Sequence, residues 1–288
     1  MVNNLPVTIA QSLIQDQARL VQTLCLDRAA ARLEAQVLLC RALGVAKSYL
    51  IAHSDEKMTP AQAAQYGHLI ERRLRGEPIA YILGEREFYS LNFKVTPAVL
   101  IPRPDTELLV ELALTRIPQN QPCKVLDLGT GSGAVAISIA RHRPQASVTA
   151  VDQSLDALAV ARENAAALAA IHIVFTRSDW YSALAGEKFD VIVSNPPYIE
   201  ANDRHLNQGD LRFEPIAALA SGEDGLDSLR QIVGQAHEHL LPRGSLLFEH
   251  GYNQAEKCRA LMLEHGFKQV ESIRDLSGVQ RVTSGFKD

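Results

Sequence analysis

The sequence predicts an α/β protein in which a small helical domain precedes a larger domain built on a mostly parallel sheet. From residue 124 onward, short apolar runs alternate with segments of helical spacing, which is typical of a sheet covered by helices on both faces. Before residue 76 the chain is rich in Ala, Leu, Gln and Arg and has helical spacing. A chain of 288 residues, 47% hydrophobic and 22% charged, can bury one large core and a smaller second one.

The first domain is predicted to occupy residues 1–78 as a bundle of about four or five helices. One helix is expected to end at Gly44, because apolar residues recur at helical spacing before it: Leu33, Val37, Leu38, Leu39 and Leu43. Another is expected to begin at Thr59, since a threonine cap followed by Pro60 favours a first helical turn. This second helix should end at Gly76.

Residues 79–104 are predicted to link the two domains. The aromatic and β-branched stretch 88–95 contains a polar Ser-Leu-Asn interruption that can reverse the chain, so it indicates a short hairpin. Beyond it, Pro102 and Pro104 hold the chain extended, because each proline fixes its own φ and disfavours helix at the preceding residue. A helix is expected to begin near residues 105–106.

The second domain, residues 105–288, is predicted to contain a seven-stranded sheet. The strands are placed at residues 124–128, 147–152, 172–176, 189–194, 245–250, 268–273 and 280–284. The helices between them are placed at residues 134–142, 155–168, 225–240 and 254–264. A short loop separates the last two strands, so we expect them to pair antiparallel at the sheet edge. The long segment 199–222 is expected to form a flap that faces the substrate.

A glycine-rich turn follows the first strand of the predicted sheet. It runs from Asp127 into a helix that begins at Ala134, and its residues are Leu128, Gly129, Thr130, Gly131, Ser132 and Gly133. Glycines let the backbone turn tightly and approach a ligand without a Cβ in the way. Alone, such a turn is compatible with either a nucleotide-type site or a structural role.

Two further features follow the next two strands. Asp152 closes the second strand, where an acidic residue in a doubly wound fold can bind both ribose hydroxyls. After the third strand, Asp179 can meet an adenine amine and Trp180 can stack on the adenine ring, although Trp180 is also compatible with a role in the core. Because all these residues follow strand ends at one sheet edge, they predict an adenosine ligand together.

The turn also discriminates among adenosine ligands. A dinucleotide-binding fingerprint would have its third glycine at position 134, where this sequence has Ala134. The Gly-Lys-Ser/Thr motif of a phosphate-binding loop is absent. The pattern from Asp127 to Gly133 resembles the first motif of class I S-adenosylmethionine-dependent methyltransferases. That resemblance implies a Rossmann-like fold and S-adenosyl-L-methionine as the cofactor. A nicotinamide oxidoreductase is the alternative from another class of enzyme.

The fourth strand ends in Asn195, Pro196, Pro197 and Tyr198. Two prolines stiffen this turn and leave carbonyls unpaired unless a ligand donates to them. The Asn195 side-chain oxygen and the Pro196 carbonyl can accept the two N–H bonds of a planar amide or amine and direct its lone pair at a methyl group. Tyr198 can pack on the planar group. We therefore expect Asn195, Pro196 and Tyr198 to be catalytic, and all four residues to bind substrate.

The Asn-Pro-Pro-Tyr motif after a fourth strand is shared by methyltransferases that modify adenine, ribosomal RNA amines or protein glutamine. Beyond the helical N-terminal domain, further segments distinguish them here: Phe88 to Phe93, Ile101 to Glu107, Phe213 to Pro215, Ala217 to Leu219, and Gly222 to Asp227. In this order, and over nearly the whole length, they resemble the peptide chain release factor glutamine methyltransferases, the PrmC/HemK family. Asp105 stands where that family more often has Glu, which keeps the carboxylate but shortens its reach.

The family resemblance implies both a substrate and a set of site residues. The substrate would be the glutamine of the Gly-Gly-Gln loop of peptide chain release factors. The implied cofactor residues are Gly129, Thr130, Gly131, Ser132, Gly133, Asp152, Trp180 and Asn195, and the implied glutamine-binding residues are Asn195 to Tyr198. A related family that methylates a ribosomal-protein glutamine shares most of these motifs, so it remains an alternative, as does methylation of adenine or guanine in nucleic acid.

Composition and spacing argue against several other functions. A formal net charge of −4 is unfavourable for a general nucleic-acid binder, so we expect release factors as partners and no direct requirement for nucleic acid. No apolar run approaches the ~20 residues that span a bilayer, and Met1 to Pro6 carry no basic cluster, which predicts a cytoplasmic protein without membrane contact. We also expect a monomer. The sequence contains no His-Glu-x-x-His motif and no Cys-x-x-Cys pair, so we expect no metal site. Glu249 and His250 either reach the cofactor or form a structural pair.

Overall fold

The computed structural model describes residues 8–288, so the start of the predicted helical domain and the stretch from Met1 to Pro6 lie outside the described residues. The contacts within the chain divide it into two compact units, one extending to Gly84 and the other beginning at Glu85. The domain limits expected from the sequence, residues 1–78, 79–104 and 105–288, stay predictions. Each unit has a hydrophobic core of its own.

The first unit contains five helices in its described part. They are α1 (Ile9–Leu24), α2 (Arg28–Leu43), α3 (Lys47–Ala52), α4 (Pro60–Leu74) and α5 (Ile79–Leu83). Helix α2 ends at Gly44 in a left-handed conformation (φ 68°), and α4 begins with a Thr59 capping box and Pro60 in the first turn, as the sequence predicts. The short helix α5 lies beyond the end expected at Gly76, and its five residues are too few for a periodic signal.

A hairpin opens the second unit. Its strands are β1 (Glu85–Phe88) and β2 (Leu91–Lys94), which pair antiparallel. The sequence places the turn at Ser-Leu-Asn, but it lies at Tyr89 and Ser90, whose φ values of 50° and 59° are both left-handed. Two left-handed residues match the twist of the flanking strands in a two-residue hairpin loop. The Tyr89 amide also donates to Glu107 Oε1 at 2.8 Å, a contact that sequence patterning does not reveal.

The described part of the second unit contains a seven-stranded sheet, as predicted, with strand order β5-β4-β3-β6-β7-β9-β8. The strands are β3 (Cys123–Leu128), β4 (Ala146–Asp152), β5 (Val174–Arg177), β6 (Phe189–Ser194), β7 (Leu240–Glu249), β8 (Lys268–Arg274) and β9 (Gln280–Phe286). Strands β3 to β7 pair in parallel. The expected antiparallel pairing of the last two strands is confirmed, with β8 at the edge and β9 also antiparallel to β7.

Five helices accompany the sheet: α6 (Glu107–Arg116), α7 (Ala134–His142), α8 (Leu155–Ala167), α9 (Asp227–His239) and α10 (Ala255–Glu264). The predicted start of the fifth strand is wrong by five residues, because β7 begins at Leu240 rather than at residue 245. The other strand boundaries differ from the prediction by at most two residues. Its pairing with β6 shifts register between Phe189 and Val191, and Arg243 is left-handed with φ 64°. The Pro-Arg-Gly stretch that resembles a loop in the sequence is therefore an irregularity inside the strand.

Two apolar clusters of the second unit contain successive residues of the same strands. Val125 and Ile137 belong to one cluster, whereas Leu126, Ile232 and Phe248 belong to the other. Successive strand residues point to opposite faces, so both faces of the sheet are buried. From β3 the sheet extends to β4 on one side and to β6 on the other. This reversal leaves a crevice at the carboxyl ends of the strands, where open α/β sheets bind ligands.

Candidate functional site

The glycine-rich turn after β3 uses backbone conformations that other residues adopt only with strain. Gly129, Gly131 and Gly133 have φ values of 72°, 55° and 82°. The amides of Gly129 and Thr130 both donate to the Val151 carbonyl at 2.9 Å, which ties the turn to β4. A Cβ at Gly133 would lie 2.8 Å from Ile137 Cδ1, so this glycine allows close packing of α7 rather than contact with a ligand.

Asp127 braces the same turn from inside the protein. Its Oδ2 accepts hydrogen bonds from Thr130 Oγ1 at 2.7 Å and from the Ala136 amide at 3.2 Å. Burial raises the pKa of the Asp127 carboxyl to about 7, against the opposing effect of these two donors. The carboxyl therefore connects the end of β3 to the first turn of α7 and fixes the path of the glycines.

Asp152, at the end of β4, presents a carboxylate beside the turn. Its Oδ2 accepts from the Gly131 amide and its Oδ1 from the Ser154 amide, each at 2.9 Å. Burial raises the pKa of this carboxyl, and the backbone donors oppose the shift. Each carboxylate oxygen has two lone pairs, so each can still accept one hydroxyl proton from a ribose.

Trp180 packs against the glycine-rich turn and lines the same cavity as Asp152. A Cβ added to Gly129 would be 3.5 Å from Trp180 Cζ3, so the indole ring packs close to the glycine backbone. The Trp180 backbone has φ 47°, and the Ser178 hydroxyl donates to its carbonyl at 2.7 Å. These constraints hold the indole at the edge of the turn, where a planar ring could stack on it.

A cavity of about 490 Å³ opens at this edge of the sheet. Ten of the residues singled out from the sequence line it: Asp127, Gly129, Thr130, Gly131, Ser132, Asp152, Asp179, Trp180, Asn195 and Pro197. Gly133, Pro196 and Tyr198 do not belong to the lining. A volume of this size lies within the range of about 300–1,000 Å³ that small-molecule sites occupy. The glycine turn, the β4 carboxylate and the motif after β6 therefore meet at one cavity.

The motif after β6 is fixed by side chains from distant parts of the chain. Asn195 Nδ2 donates to Thr106 Oγ1 at 3.0 Å. The Tyr198 hydroxyl donates to Glu249 Oε1 at 3.1 Å, and the Tyr198 carbonyl accepts from Gln254 Nε2 at 3.0 Å. Burial and the neighbouring Glu249 raise the pKa of Tyr198. The tyrosine is therefore a neutral hydrogen-bond donor held in place at both ends.

The predicted flap forms part of the cavity wall. Within residues 199–222, the lining residues are Pro215, Ala217, Ala218 and Ala220, and they lie beside a second wall segment at residues 98–102. Buried Glu214 joins these two segments, because its carboxylate accepts from the Ile101 amide at 3.0 Å and pairs with Arg103. Burial raises the pKa of Glu214, whereas Arg103 lowers it. A buried and paired carboxylate therefore holds the flap against the cavity.

One residue of the site, Thr106, was not identified from the sequence as functional, and Glu249 was considered only together with His250 as a cofactor contact or a structural pair. Thr106 lines the cavity, and Glu249 lies behind it at the end of β7. Neither Glu249 nor His250 lines the cavity, and both are buried with hydrogen-bond partners, which agrees with the structural alternative rather than with contact to the cofactor. The His250 ring contacts Thr283 and Gly251. Thr106 lies in the proline-rich segment that supports the family resemblance, and Glu249 ends a strand at the ligand edge. Those were the only signals in the sequence.

Within residues 8–288, no group of three or more His, Cys, Asp or Glu side chains is arranged to hold a metal ion. Among the helices of the same described residues, none is both long and apolar enough to cross a membrane.

Two family models match the chain. One is described as the methyltransferase small domain and matches residues 105–211, and the other is described as the PrmC N-terminal domain and matches residues 19–84. Among curated proteins, the release factor glutamine methyltransferase of Bordetella pertussis is 50% identical over 268 residues, covering 93% of this chain and 99% of that protein. The release factor glutamine methyltransferase of Salmonella typhimurium is 48% identical, covering 90% of this chain and 93% of that protein.

Solved structures support the fold. A methyltransferase from Pyrococcus furiosus aligns with a TM-score of 0.53 at 19% identity, covering 75% of this chain and 96% of that one. The 16S rRNA N2 G1207 methyltransferase of T. thermophilus, in complex with AdoMet and guanosine, aligns with a TM-score of 0.54 at 23% identity, covering 71% of this chain and 50% of that one. At these identities the similarity concerns the fold alone. The class I methyltransferase fold expected from the sequence is confirmed.

Proposed function

The chain belongs to the release factor glutamine methyltransferase family, and from this premise we propose that it methylates a glutamine side-chain amide in peptide chain release factors. The acceptor is the glutamine of the Gly-Gly-Gln loop, and the methyl donor is S-adenosyl-L-methionine. The two matching family models and the relatives that are about 50% identical support methyl transfer to a protein glutamine as the reaction class. The same relatives support a protein substrate rather than a nucleic acid.

The observation that carries this proposal is a pair of oxygen acceptors without a donor in the motif after β6, one of them on Asn195, which lines the cavity. Asn195 lines the cavity and its Nδ2 is already bound to Thr106, so its Oδ1 is the branch left for a ligand. Within residues 8–288, no donor is bonded to Asn195 Oδ1 or to the carbonyl of Pro196. Unpaired acceptors in a stiff turn are costly unless a ligand donates to them. A primary amide has two N–H bonds to give to such a pair.

The residues around the cavity also fit the cofactor. Asp152 has lone pairs for ribose hydroxyls, and Trp180 offers a ring face for adenine. The glycine turn carries no Cβ at Gly129 and Gly131, so a ligand can lie against its backbone. When bound, S-adenosyl-L-methionine supplies an electrophilic methyl group on sulfur. These three elements would hold the cofactor in the cavity that Asn195 also lines.

The acceptor pair explains how a weak nucleophile becomes reactive. The lone pair of an amide nitrogen is delocalised into its carbonyl, so the nitrogen must be oriented before it can attack. Asn195 Oδ1 and the Pro196 carbonyl accept one N–H each and turn the lone pair toward the methyl carbon. Tyr198, fixed by Glu249 and Gln254, keeps the neighbouring backbone in place. No charged base is required, since the nitrogen can lose a proton after transfer.

Methyl transfer from radiolabelled cofactor tests the proposal. The full-length protein is incubated with either a bacterial class-1 release factor or ribosomal RNA, and the labelled residue is located by peptide mass spectrometry. We expect label on the Gly-Gly-Gln glutamine and none in RNA. A release factor with Gln replaced by Ala in that motif is the matched control and should stay unlabelled. Label in RNA alone, or in a ribosomal-protein glutamine alone, would overturn the proposed substrate.

Asp152→Ala is expected to weaken cofactor binding by about 10²-fold, because hydrogen bonds to a charged group contribute about 1.5–3 kcal/mol each. Isothermal titration calorimetry measures the dissociation constant directly. Asp152→Asn is the matched control: it keeps one oxygen acceptor for the Gly131 amide and should lose less affinity. Equal affinity of Asp152→Ala and the unsubstituted protein would contradict the ribose role, and binding of NADH instead of S-adenosyl-L-methionine would exclude the assigned cofactor.

The proposal extends to the cellular setting. An enzyme that modifies release factors acts in translation termination, so we propose a cytoplasmic protein that works as a monomer and requires no nucleic acid or membrane. The names of the relatives support this placement. Sedimentation of the protein with and without a release factor tests the monomer and its partner.

A further inference from the structure

A chain of hydrogen bonds runs from a buried acid to the acceptor residue of the site. Glu249 is 1% exposed, and its Oε2 accepts from Thr106 Oγ1 at 2.6 Å. Thr106 Oγ1 accepts in turn from Asn195 Nδ2 at 3.0 Å. The other carboxylate oxygen, Oε1, accepts from the Tyr198 hydroxyl at 3.1 Å. Glu249 is thus connected to both polar side chains of the motif after β6, although it does not line the cavity.

The donors and acceptors in this chain of hydrogen bonds can be assigned in only one way while Glu249 is ionised. A carboxylate has no proton to give, so it accepts from both of its partners. Thr106 has a single hydroxyl proton, which is committed to Glu249, and its oxygen can therefore only accept from Asn195. The Asn195 amide must then turn its NH₂ group to Thr106, which leaves Oδ1 facing the cavity.

We propose that Glu249 is the positioning residue that fixes the amide orientation of Asn195 and so makes the site select a substrate NH₂ group. This inference deepens the proposed function and rests on it. With the order reversed, Thr106 would donate to Asn195 Oδ1 and the Asn195 NH₂ would face the cavity. Two NH₂ groups would then meet, and the substrate amide would find no acceptor. The acid behind the cavity therefore decides which chemical group the site binds.

Protonation of Glu249 would remove the constraint. Burial and, to a smaller extent, Asp105 raise the pKa of this carboxyl, whereas Thr106, Tyr198 and Arg281 lower it, and the net result is a pKa of about 6. A protonated carboxyl can donate to Thr106, which frees the hydroxyl to donate to Asn195. The ionised fraction is about nine-tenths at pH 7 and about one-tenth at pH 5 for such a group.

The kcat for methyl transfer should therefore fall as the pH decreases through about 6, because the active form is the ionised one. The charged and titratable groups that face Glu249 are Asp105, on the segment before α6, Arg281 on β9, and Tyr198 after β6. In Glu249→Gln this decrease should disappear. Glu271→Gln, which removes an exposed carboxylate on β8, should keep the same pH profile as the unsubstituted protein. A decrease retained in Glu249→Gln would overturn the inference.

Substitutions that change which groups donate and which accept in this chain of hydrogen bonds test the inference directly. In Glu249→Gln the new NH₂ can donate to Thr106, so kcat should fall by about 10²-fold while the dissociation constant for S-adenosyl-L-methionine changes less than about twofold. Thr106→Val removes the hydroxyl and should lose a similar factor, whereas Thr106→Ser keeps the hydroxyl and should retain most of the activity. The kcat of the double variant Thr106→Val with Glu249→Gln should be at most about threefold lower than that of Thr106→Val alone, since both substitutions act through the same chain of hydrogen bonds.

Hydrogen exchange of the Asn195 side-chain amide tests the orientation without any turnover. Its NMR signals can be assigned by their loss in Asn195→Ala. In the unsubstituted protein the NH₂ is bound to Thr106, and in Glu249→Gln and Thr106→Val it should exchange at least about tenfold faster. Equal exchange in all three proteins would overturn the inference, as would kcat within about threefold of normal in Glu249→Gln. If the unsubstituted protein methylates no release factor but these exchange rates differ as expected, the proposed substrate fails and the orienting chain stands.

Discussion

Asn195→Ala is expected to reduce kcat for methyl transfer by about 10²–10³-fold, the usual effect of removing one preorganised polar partner of a reacting group. The substitution removes the side-chain oxygen proposed to accept one N–H of the substrate amide. It leaves the Pro196 carbonyl as the only acceptor of the pair, so the lone pair of the nitrogen is no longer held in line with the methyl carbon. Thr106 keeps its bond to Glu249, so the wall of the cavity remains in place.

The measurement is single-turnover transfer from labelled cofactor to a release factor, together with calorimetric titration of the cofactor. We expect the dissociation constant for the cofactor to change little, because the glycine turn and Asp152 carry most of that interaction in the proposed site. Asn120→Ala, an exposed asparagine before β3, is the matched control and should behave like the unsubstituted protein. Turnover within about threefold of normal in Asn195→Ala would contradict the proposed acceptor role.

Gly225→Ala is expected to destabilise the second unit by about 2–5 kcal/mol, the sum of a left-handed backbone and an overpacked contact. Gly225 has φ 74°, and a Cβ there would lie 2.3 Å from the Tyr198 carbonyl oxygen and 2.7 Å from Gln254 Nε2. The nearest atom belongs to the backbone, so relief requires movement of the Tyr198 main chain. Activity should fall as well, because the Gln254 bond to Tyr198 must break.

Denaturant unfolding followed by tryptophan fluorescence measures this loss in the relevant unit, since Trp180 is the single tryptophan of the chain. The matched control is Gly278→Ala. Gly278 is also left-handed, with φ 82°, but a Cβ there would have no atom within 4 Å. Gly278→Ala should therefore cost only the backbone strain of about 1–2 kcal/mol. If the two variants lose the same stability, the contact with Tyr198 has no energetic role.

Sequence patterning predicted the sheet well because its signals are local. Each strand from β3 to β6 coincides with a short stretch of largely apolar residues, and each polar motif comes directly after its strand. Parallel strands align their carboxyl ends at one edge, so the glycine turn, Asp152, Trp180 and Asn195 could be assigned to one site before their distances were known. The cavity that all four line agrees with this reasoning. Their roles toward cofactor and substrate remain predictions for the experiments above.

The errors have local causes too. The hairpin turn lies at Tyr89 and Ser90 because a two-residue loop needs two left-handed residues, and neither is a glycine or asparagine that would mark such a turn. Strand β7 was expected to begin at residue 245, since a proline and a glycine usually interrupt a strand. Here they lie within an irregular stretch of pairing with β6, and Arg243 adopts a left-handed conformation that its side chain does not suggest.

By itself the sequence determined the fold class, and it predicted both the edge of the sheet that carries the candidate site and the residues after the fourth strand that we propose as acceptors. It could do so because periodicity and turn chemistry depend on neighbours a few residues apart. The connections of Thr106 to Asn195 and to Glu249 span 89 and 143 positions, and only the tertiary structure decided them. They exist because the strand order places β7 beside β6 and brings the segment before α6 against both ends, and no local pattern encodes which buried proton is given to which oxygen.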